Sequence, residues 1–181
     1  MNKSQIRNKI IKIRKKKFDK NLQINLGKFI SFLKIDKLNL KNIGGYYPSN
    51  YEIDDLNILD LLEKKNFKVS LPIIKKDNQM NFCSWSRGDP LRVNKYGIPE
   101  PVSSKIFYPD ILLVPLVAYD NNLNRLCYGG GYYDRYIEKL EKFKKVIKIG
   151  LAFSFQKISS IPINQYDKRL DFIITEKEIL R

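Results

Sequence analysis

The sequence predicts an α/β fold: an open, mostly parallel sheet with helices on both faces, a three-layer α/β/α arrangement of Rossmann-like type. Three observations carry this prediction. Helix-like and strand-like apolar periodicities alternate along the chain. Residues 110–115 form a short apolar run bounded by Pro109 and Pro115, the profile of a strand covered on both faces. Three glycines, Gly129, Gly130 and Gly131, stand directly before a helical pattern. With 181 residues, 43% hydrophobic and 29% charged, the chain can bury a core, and one domain over residues 1–181 is expected.

The first element is a helix over residues 3–20. Ile6, Ile10 and Ile13 recur at i, i+4 and i+7, and Ile11 and Phe18 widen the apolar face. At 100° per residue Lys3, Arg7 and Arg14 fall within about 40° of one another, a cationic stripe beside that face. A second helix is predicted over 23–33. Gly44 and Gly45 then lead into Tyr46-Tyr47-Pro48, where the proline imposes an extended or turn geometry. Asp54 is placed to cap a helix reaching Asn66, with Ile58, Leu59, Leu61 and Leu62 as its apolar face. Residues 68–74 and 79–85 read as strands joined by a Lys-Lys-Asp-Asn turn. Between Asp89 and Pro109 little regular pattern is visible. A strand over 110–115, a polar turn, the segment 125–128, a helix over 132–143 and strands over 146–152 and 171–175 complete the reading.

Composition excludes several chemistries. There is no histidine, so His-based triads, His general bases and His-ligated zinc are ruled out. The two cysteines, Cys83 and Cys127, have no CxxC spacing, which excludes a disulfide scaffold and suits a reducing compartment. The longest apolar stretch, 111–119, has nine residues with a proline inside, too short for a bilayer. The basic N-terminus lacks the apolar run of a signal peptide. A cytoplasmic protein without a membrane partner is expected. The net charge is +15, but residues 1–20 alone carry +8. The excess is therefore a property of one segment, which weakens any argument for a nucleic-acid partner.

The segment Arg125-Leu-Cys-Tyr-Gly-Gly-Gly-Tyr-Tyr-Asp-Arg-Tyr136 is the sharpest local feature. Glycines before a helix let bare N–H groups approach a ligand, and the first helical turn adds unpaired donors and a positive dipole end, a seat for phosphate. Arg125 and Arg135 can add charge-assisted contacts, and Asp134 can hold Mg²⁺ against the same phosphates. No GK[ST] follows, so the loop is not a Walker A motif, and Asp134 replaces the last glycine of the dinucleotide fingerprint. On these residues alone a phosphate loop and a plain glycine turn with core tyrosines stand even.

The run resembles the signature of the 5-formyltetrahydrofolate cyclo-ligase family, and further matches follow in order over nearly the whole chain. Lys3-Ser-Gln-Ile-Arg7 is similar to the family's N-terminal Lys-xxx-Arg. Tyr46-Tyr-Pro with Glu52-Ile-Asp54 resembles its folate-pocket segment, and Tyr96-Gly-Ile-Pro-Glu-Pro101 its loop before the central strand. Pro109-Asp-Ile-Leu-Leu-Val-Pro115 with Asp120 and Arg125, then Gly150-Leu-Ala-Phe, Gln156, Ile161-Pro162 and Asp167-xxx-Asp171, complete the match.

This resemblance implies ATP- and Mg²⁺-dependent conversion of 5-formyltetrahydrofolate to 5,10-methenyltetrahydrofolate, with release of ADP and phosphate. It implies that Lys3, Arg7 and the loop Arg125, Leu126, Cys127, Tyr128, Gly129, Gly130, Gly131, Tyr132 and Tyr133 bind ATP. Tyr47, Glu52 and Tyr96 would contact the folate together with the loop from Tyr128 to Tyr132, and Asp134 and Asp167 would hold Mg²⁺. Without the resemblance, Asp167 reads as a turn carboxylate, Glu52 as a helix-entry acid and Tyr96 as core. Such chemistry asks side chains mainly for positioning and charge neutralisation, so no imidazole is needed. The small-molecule partners are the folate, including polyglutamated forms, and ATP, acting on a monomer. Two departures stand out: Cys127 where the family commonly has glycine, and Tyr166 where histidine is frequent. Two rival classes are a basic RNA-binding module and a sugar-phosphate isomerase of similar architecture.

Overall fold

The computed structural model describes residues 1–34 and 40–181. The chain runs α1 (Lys3–Lys17), α2 (Leu26–Leu33), β1 (Asn42–Gly44), α3 (Leu56–Lys64), β2 (Lys68–Ile74), β3 (Met80–Ser84), β4 (Leu91–Val93), β5 (Pro99–Pro101) and β6 (Ile106–Phe107). It continues through β7 (Ile111–Pro115), β8 (Ala118–Tyr119), β9 (Arg125–Leu126), α4 (Tyr132–Glu141), β10 (Ile147–Leu151), β11 (Phe172–Ile174) and β12 (Ile179–Leu180). The main sheet has the order β12-β11-β10-β7-β1-β2-β3-β6. Strands β11, β10, β7, β1 and β2 are mutually parallel, whereas β12, β3 and β6 join antiparallel at the edges.

Strand β7 shows why both faces must be covered. Ile111 and Leu113 bury against one side together with Phe29 and Leu33 of α2 and Ile58, Leu59 and Leu62 of α3. Leu112 and Val114 bury on the other side with Tyr136, Ile137 and Leu140 of α4. The chain is thus a doubly covered α/β sheet, as the apolar run predicts. Helix α1 lies apart from both layers. Its Ile6 and Ile10 pack on Val117, Ala118 and Leu126 of the small β8–β9 ribbon. A reciprocal cap between the side chains and backbones of Asn2 and Gln5 starts this helix at Lys3.

Several boundaries differ from the sequence expectation. Helix α1 stops at Lys17, because Phe18 turns extended and packs its ring on Phe153 and Tyr51. Helix α2 begins at Leu26, capped by the Asn25 side chain, rather than at residue 23. Asp55, not Asp54, occupies the N-cap position of α3. The Asp54 carboxylate instead accepts from Leu56 N–H at 2.8 Å, while buried Asp55 accepts from Tyr46 N–H at 3.0 Å. The stretch 89–109 is not patternless, since it holds the β4–β5 hairpin and edge strand β6. The central strand β1 went unread in the sequence. Its end requires glycine for space: a Cβ on Gly44 would lie 2.7 Å from Phe82 and Pro109, and one on Gly45 would lie 2.4 Å from Leu59.

From β1 the sheet grows in two directions. The connection through α3 reaches β2 on one side, and β7 and β10 build outward on the other, with α4 on the opposite face. The strand order therefore reverses between β1 and β7, and in open parallel sheets a crevice opens at that point beyond the carboxyl ends of the strands.

Candidate active site

A cavity of about 450 Å³ occupies this crevice. Tyr46 and Tyr47 enter it from the end of β1, Ile74 from the end of β2, Pro115 from the end of β7 and Met80 from the start of β3. Gly130, Gly131, Tyr132 and Tyr133 close one wall, and Asn94, Tyr96 and Ile98 of the β4–β5 hairpin close another. The apolar lining with a few convergent polar groups is the usual make-up of a small-molecule site.

Glu52 is the buried acid of the cavity. It is 7% exposed, and its Oε2 accepts from the Ser49 backbone N–H at 2.8 Å and the Ser49 hydroxyl at 3.2 Å. Burial pushes its carboxyl above the usual carboxylate range, against the pull of the Ser49 bonds and the Arg14 charge. Tyr132 and Tyr96 meet across the mouth with hydroxyls 3.0 Å apart and rings edge to face, and Tyr132 also donates to Asn78 at 3.1 Å.

The glycine loop is shaped by two left-handed residues, Gly129 at φ +100° and Gly131 at φ +66°. Gly131 is the N-cap of α4, so the loop runs directly into that helix's free N–H groups. Arg7 lies over the loop: its Nε donates to the Cys127 carbonyl at 2.7 Å, and its guanidinium carbon would be 3.3 Å from a Cβ on Gly129. Arg135 reaches back to the Gly130 carbonyl at 2.5 Å and the Asn78 carbonyl at 2.7 Å, stitching the loop to the β2–β3 turn. Lys3, one turn before Arg7, pairs with Asp167 Oδ2 at 2.5 Å, which also accepts from Asn164 N–H at 2.6 Å.

Some expected ATP contacts have other employment. The Arg125 side chain is buried and grips Asp134 Oδ1 through two nitrogens at 3.0 and 2.9 Å, and the Lys168 carbonyl at 2.7 Å. Leu126 points into the α1 core, with its carbonyl taken by Val117 N–H. Cys127 reaches the cavity, its thiol held near the Pro115 carbonyl and pushed up by burial. The Tyr133 hydroxyl is buried without a hydrogen-bond partner among the described residues. The cavity thus unites Tyr47, Glu52, Tyr96, Cys127, Tyr128, Gly130, Gly131, Tyr132, Tyr133 and Asp134. Lys3, Arg7, Arg125, Leu126, Gly129 and Asp167 stand behind or beside it.

A model of the 5-formyltetrahydrofolate cyclo-ligase family matches residues 1–176. The chain belongs to this family. It is 32% identical over 140 residues to the 5-formyltetrahydrofolate cyclo-ligase of Haemophilus influenzae, covering 74% of each chain. The Mycoplasma genitalium enzyme of the same name is 30% identical over 148 residues, 81% of this chain and 79% of its own. The solved structure of Aquifex aeolicus 5,10-methenyltetrahydrofolate synthetase superposes with a TM-score of 0.74 at 30% identity, over 100% of this chain and 93% of its own. The corresponding Mycoplasma pneumoniae structure gives 0.74 at 26% identity, over 98% and 100%.

For a cyclo-ligase of this family the donor set bears on Mg²⁺. Among the described residues no three cysteine, aspartate or glutamate side chains gather as a metal cage. Asp134 and Asp167 each commit one named oxygen to a cation and a backbone N–H. Carboxylate oxygens are donors of the type that suits Mg²⁺, which is commonly held by one or two carboxylates with substrate phosphates and water as its other ligands. Arg14 is the residue that motif reasoning passed over. It lies on the same helical stripe as Lys3 and Arg7, is 1% exposed, and donates to the Tyr128 hydroxyl and to the Leu116 carbonyl. The stripe itself was the available signal.

Proposed function

We propose that this cyclo-ligase converts 5-formyltetrahydrofolate to 5,10-methenyltetrahydrofolate, using ATP and Mg²⁺ and releasing ADP and phosphate. The observation that carries the reading is the cavity between β1 and β7, which joins the glycine loop to Glu52 in a chain of this family. The free N–H groups of the glycine loop and of the first turn of α4 face the ATP phosphates, with Arg7 and Lys3 supplying charge from α1. Glu52 and Tyr47 line the pterin side, and Tyr96 with Tyr132 closes over it. The formyl oxygen takes the γ-phosphoryl group and ADP departs. N10 then attacks the activated carbon and loses its proton, and phosphate leaves with the oxygen. Asp134 and Asp167 would hold Mg²⁺, which would supply neutralisation of the phosphate charge. The chain's share is to hold the two reactants in line and exclude water.

The reading extends to one domain over residues 1–181, acting as a monomer in the cytoplasm on folates that include polyglutamated forms. Among the described residues no helix is long and apolar enough to cross a membrane. Neither the RNA-binding reading nor the isomerase reading gains support from the relatives.

The test follows the absorbance of the methenyl product with purified protein, 5-formyltetrahydrofolate, ATP and Mg²⁺, omitting each component in turn. A chromophore that requires all components is the expected outcome. No product from folded protein with every component present overturns the assignment.

A further inference from the structure

Asp55 stands at the N-cap position of α3, yet its side chain makes no capping bond there. A carboxylate at that position ordinarily accepts from the free N–H groups of the first turn and faces the positive end of the helix dipole. The Asp55 carboxyl turns instead to the end of β1. It is 0% exposed, its Oδ2 accepts from the Tyr46 N–H at 3.0 Å, and its Oδ1 has no hydrogen-bond partner among the described residues. Gly45 leaves the room for it, since a Cβ there would lie 2.6 Å from Oδ2. An isolated carboxylate taken out of water is far more costly than the neutral acid, so a carboxyl in such a place keeps its proton.

We infer that Asp55 is a positioning residue of this cavity: its buried carboxyl clamps the connection between β1 and α3 and so sets how Tyr46, Tyr47 and Glu52 stand against the ligand. The inference rests on the folate reading of the cavity for the ligand, but the clamp itself stands on this chain's own geometry. Two bonds draw the ends of the connection together, both through Tyr46. Its N–H donates to Asp55 Oδ2, and its hydroxyl donates to the Ile53 carbonyl at 2.7 Å. Inside the loop so closed, the Glu52 N–H donates to the Ser49 carbonyl at 2.9 Å, and Glu52 Oε2 accepts the Ser49 N–H at 2.8 Å. Tyr46, Tyr47 and Glu52 all line the cavity. The titratable groups facing Asp55 are Asp54 and Glu52 on the same connection, Tyr46 at the end of β1 and Tyr133 of α4, and none is a cation. Burial, with the charges of Asp54 and Glu52, holds its carboxyl well above the usual carboxylate range, against the pull of backbone N–H groups. The sign follows. The stability that the protonated form contributes is complete below the ordinary carboxylate range and is lost as pH rises to the raised value of the folded state.

The experiment compares the parent protein with D55N and D55A. The Asp55 carboxyl carbon is titrated by NMR in ¹³C-aspartate-labelled protein without ligand, and assigned by its loss in D55N. Amide exchange is followed over residues 45–55, and urea unfolding is measured across the same pH range. Equilibrium binding of 5-formyltetrahydrofolate is measured without ATP, with binding of a non-hydrolysable ATP analogue alongside. Asp55 is expected to titrate above the ordinary carboxylate range, and the parent to lose stability relative to D55N as pH rises towards that midpoint. D55A leaves the Tyr46 N–H without its acceptor, so exchange there should quicken about tenfold and folate binding weaken about tenfold, with ATP-analogue binding unchanged. D55N keeps a neutral acceptor of the same shape and should recover most of both losses. An Asp55 midpoint within the ordinary carboxylate range overturns the inference. So does a folded D55A with the parent's Tyr46 exchange, or one that loses folate and ATP-analogue binding equally. Should D55A fail to fold, D55N decides alone: stability that gains nothing on the parent's as pH rises overturns the inference. Tyr46 exchange that D55A quickens and D55N restores, in a protein that never binds 5-formyltetrahydrofolate, leaves the clamp standing and removes the folate reading instead.

Discussion

Asp134 answers two demands with one carboxylate. Its Oδ1 neutralises Arg125, whose side chain is 2% exposed, and accepts the Lys168 N–H at 3.0 Å. Asp134→Asn therefore does more than weaken the proposed metal site. It leaves the Arg125 charge buried without its counter-ion, a class of change that costs about 3 kcal/mol. For a chain of this length that corresponds to a melting temperature lower by roughly 6–12 °C. Turnover should fall as well, and thermal unfolding read beside initial rates separates the two losses. Neighbouring glycines differ in the same residue-specific way. Gly129 sits at φ +100°, where any side chain is strained, whereas a Cβ on Gly130 would meet the Tyr132 ring at 2.8 Å without backbone strain. Substitution at the first should disturb Arg7 and the proposed ATP side, and at the second the aromatic wall.

At the scale of elements, Glu100 ties the β4–β5 hairpin to the end of β2. Glu100 is 4% exposed by side chain and accepts from Ile74 N–H at 3.0 Å, Arg92 at 3.0 and 3.1 Å, and Asn94 at 3.4 Å. The hairpin in turn carries Asn94, Tyr96 and Ile98 into the cavity. Glu100→Ala should free the hairpin, raising the KM for 5-formyltetrahydrofolate about tenfold with a smaller change for ATP. Stability should drop by about 1–3 kcal/mol as the Ile74 N–H loses its acceptor. Amide exchange that does not speed up within 91–101 would remove the hairpin from this role. The hairpin also shows what the sequence conceals. Both Pro99 and Pro101 lie in β5, and prolines argue against a strand unless the partner geometry is known. Strand β1 is three residues ending in glycine, too short for alternation to register. By contrast α4, β2 and β7 carry full apolar periods and were legible almost to the residue. The same divide runs through the site. The glycine loop is local in sequence and readable, but the bond from Arg14 to the Tyr128 hydroxyl joins two distant segments that tertiary packing alone brings together.

The charge of the whole molecule is distributed by α1. This helix directs Lys3, Arg7 and Arg14 inward to Asp167, the glycine loop and Tyr128, while Lys9, Lys12, Lys15, Lys16 and Lys17 remain exposed. A surplus of +15, with +8 in the first 20 residues, makes a long-range positive field on the side of the molecule where α1 meets the loop. The proposed substrates, ATP and polyglutamated folates, are polyanions, and such a field would raise their encounter rate without touching them once bound. Exposed charges are screened over about 10 Å at 0.1 M salt, so this contribution fades with ionic strength while the buried contacts persist. The expected result is a several-fold fall in kcat/KM for ATP between about 50 and about 300 mM salt, with kcat nearly constant. The triple variant K15Q/K16Q/K17Q should flatten that dependence and keep the parent's kcat, because these side chains lie outside the cavity. A slope unchanged by the triple substitution would place the salt-sensitive charge in Lys3 and Arg7 themselves, leaving the exposed lysines without a part in substrate capture.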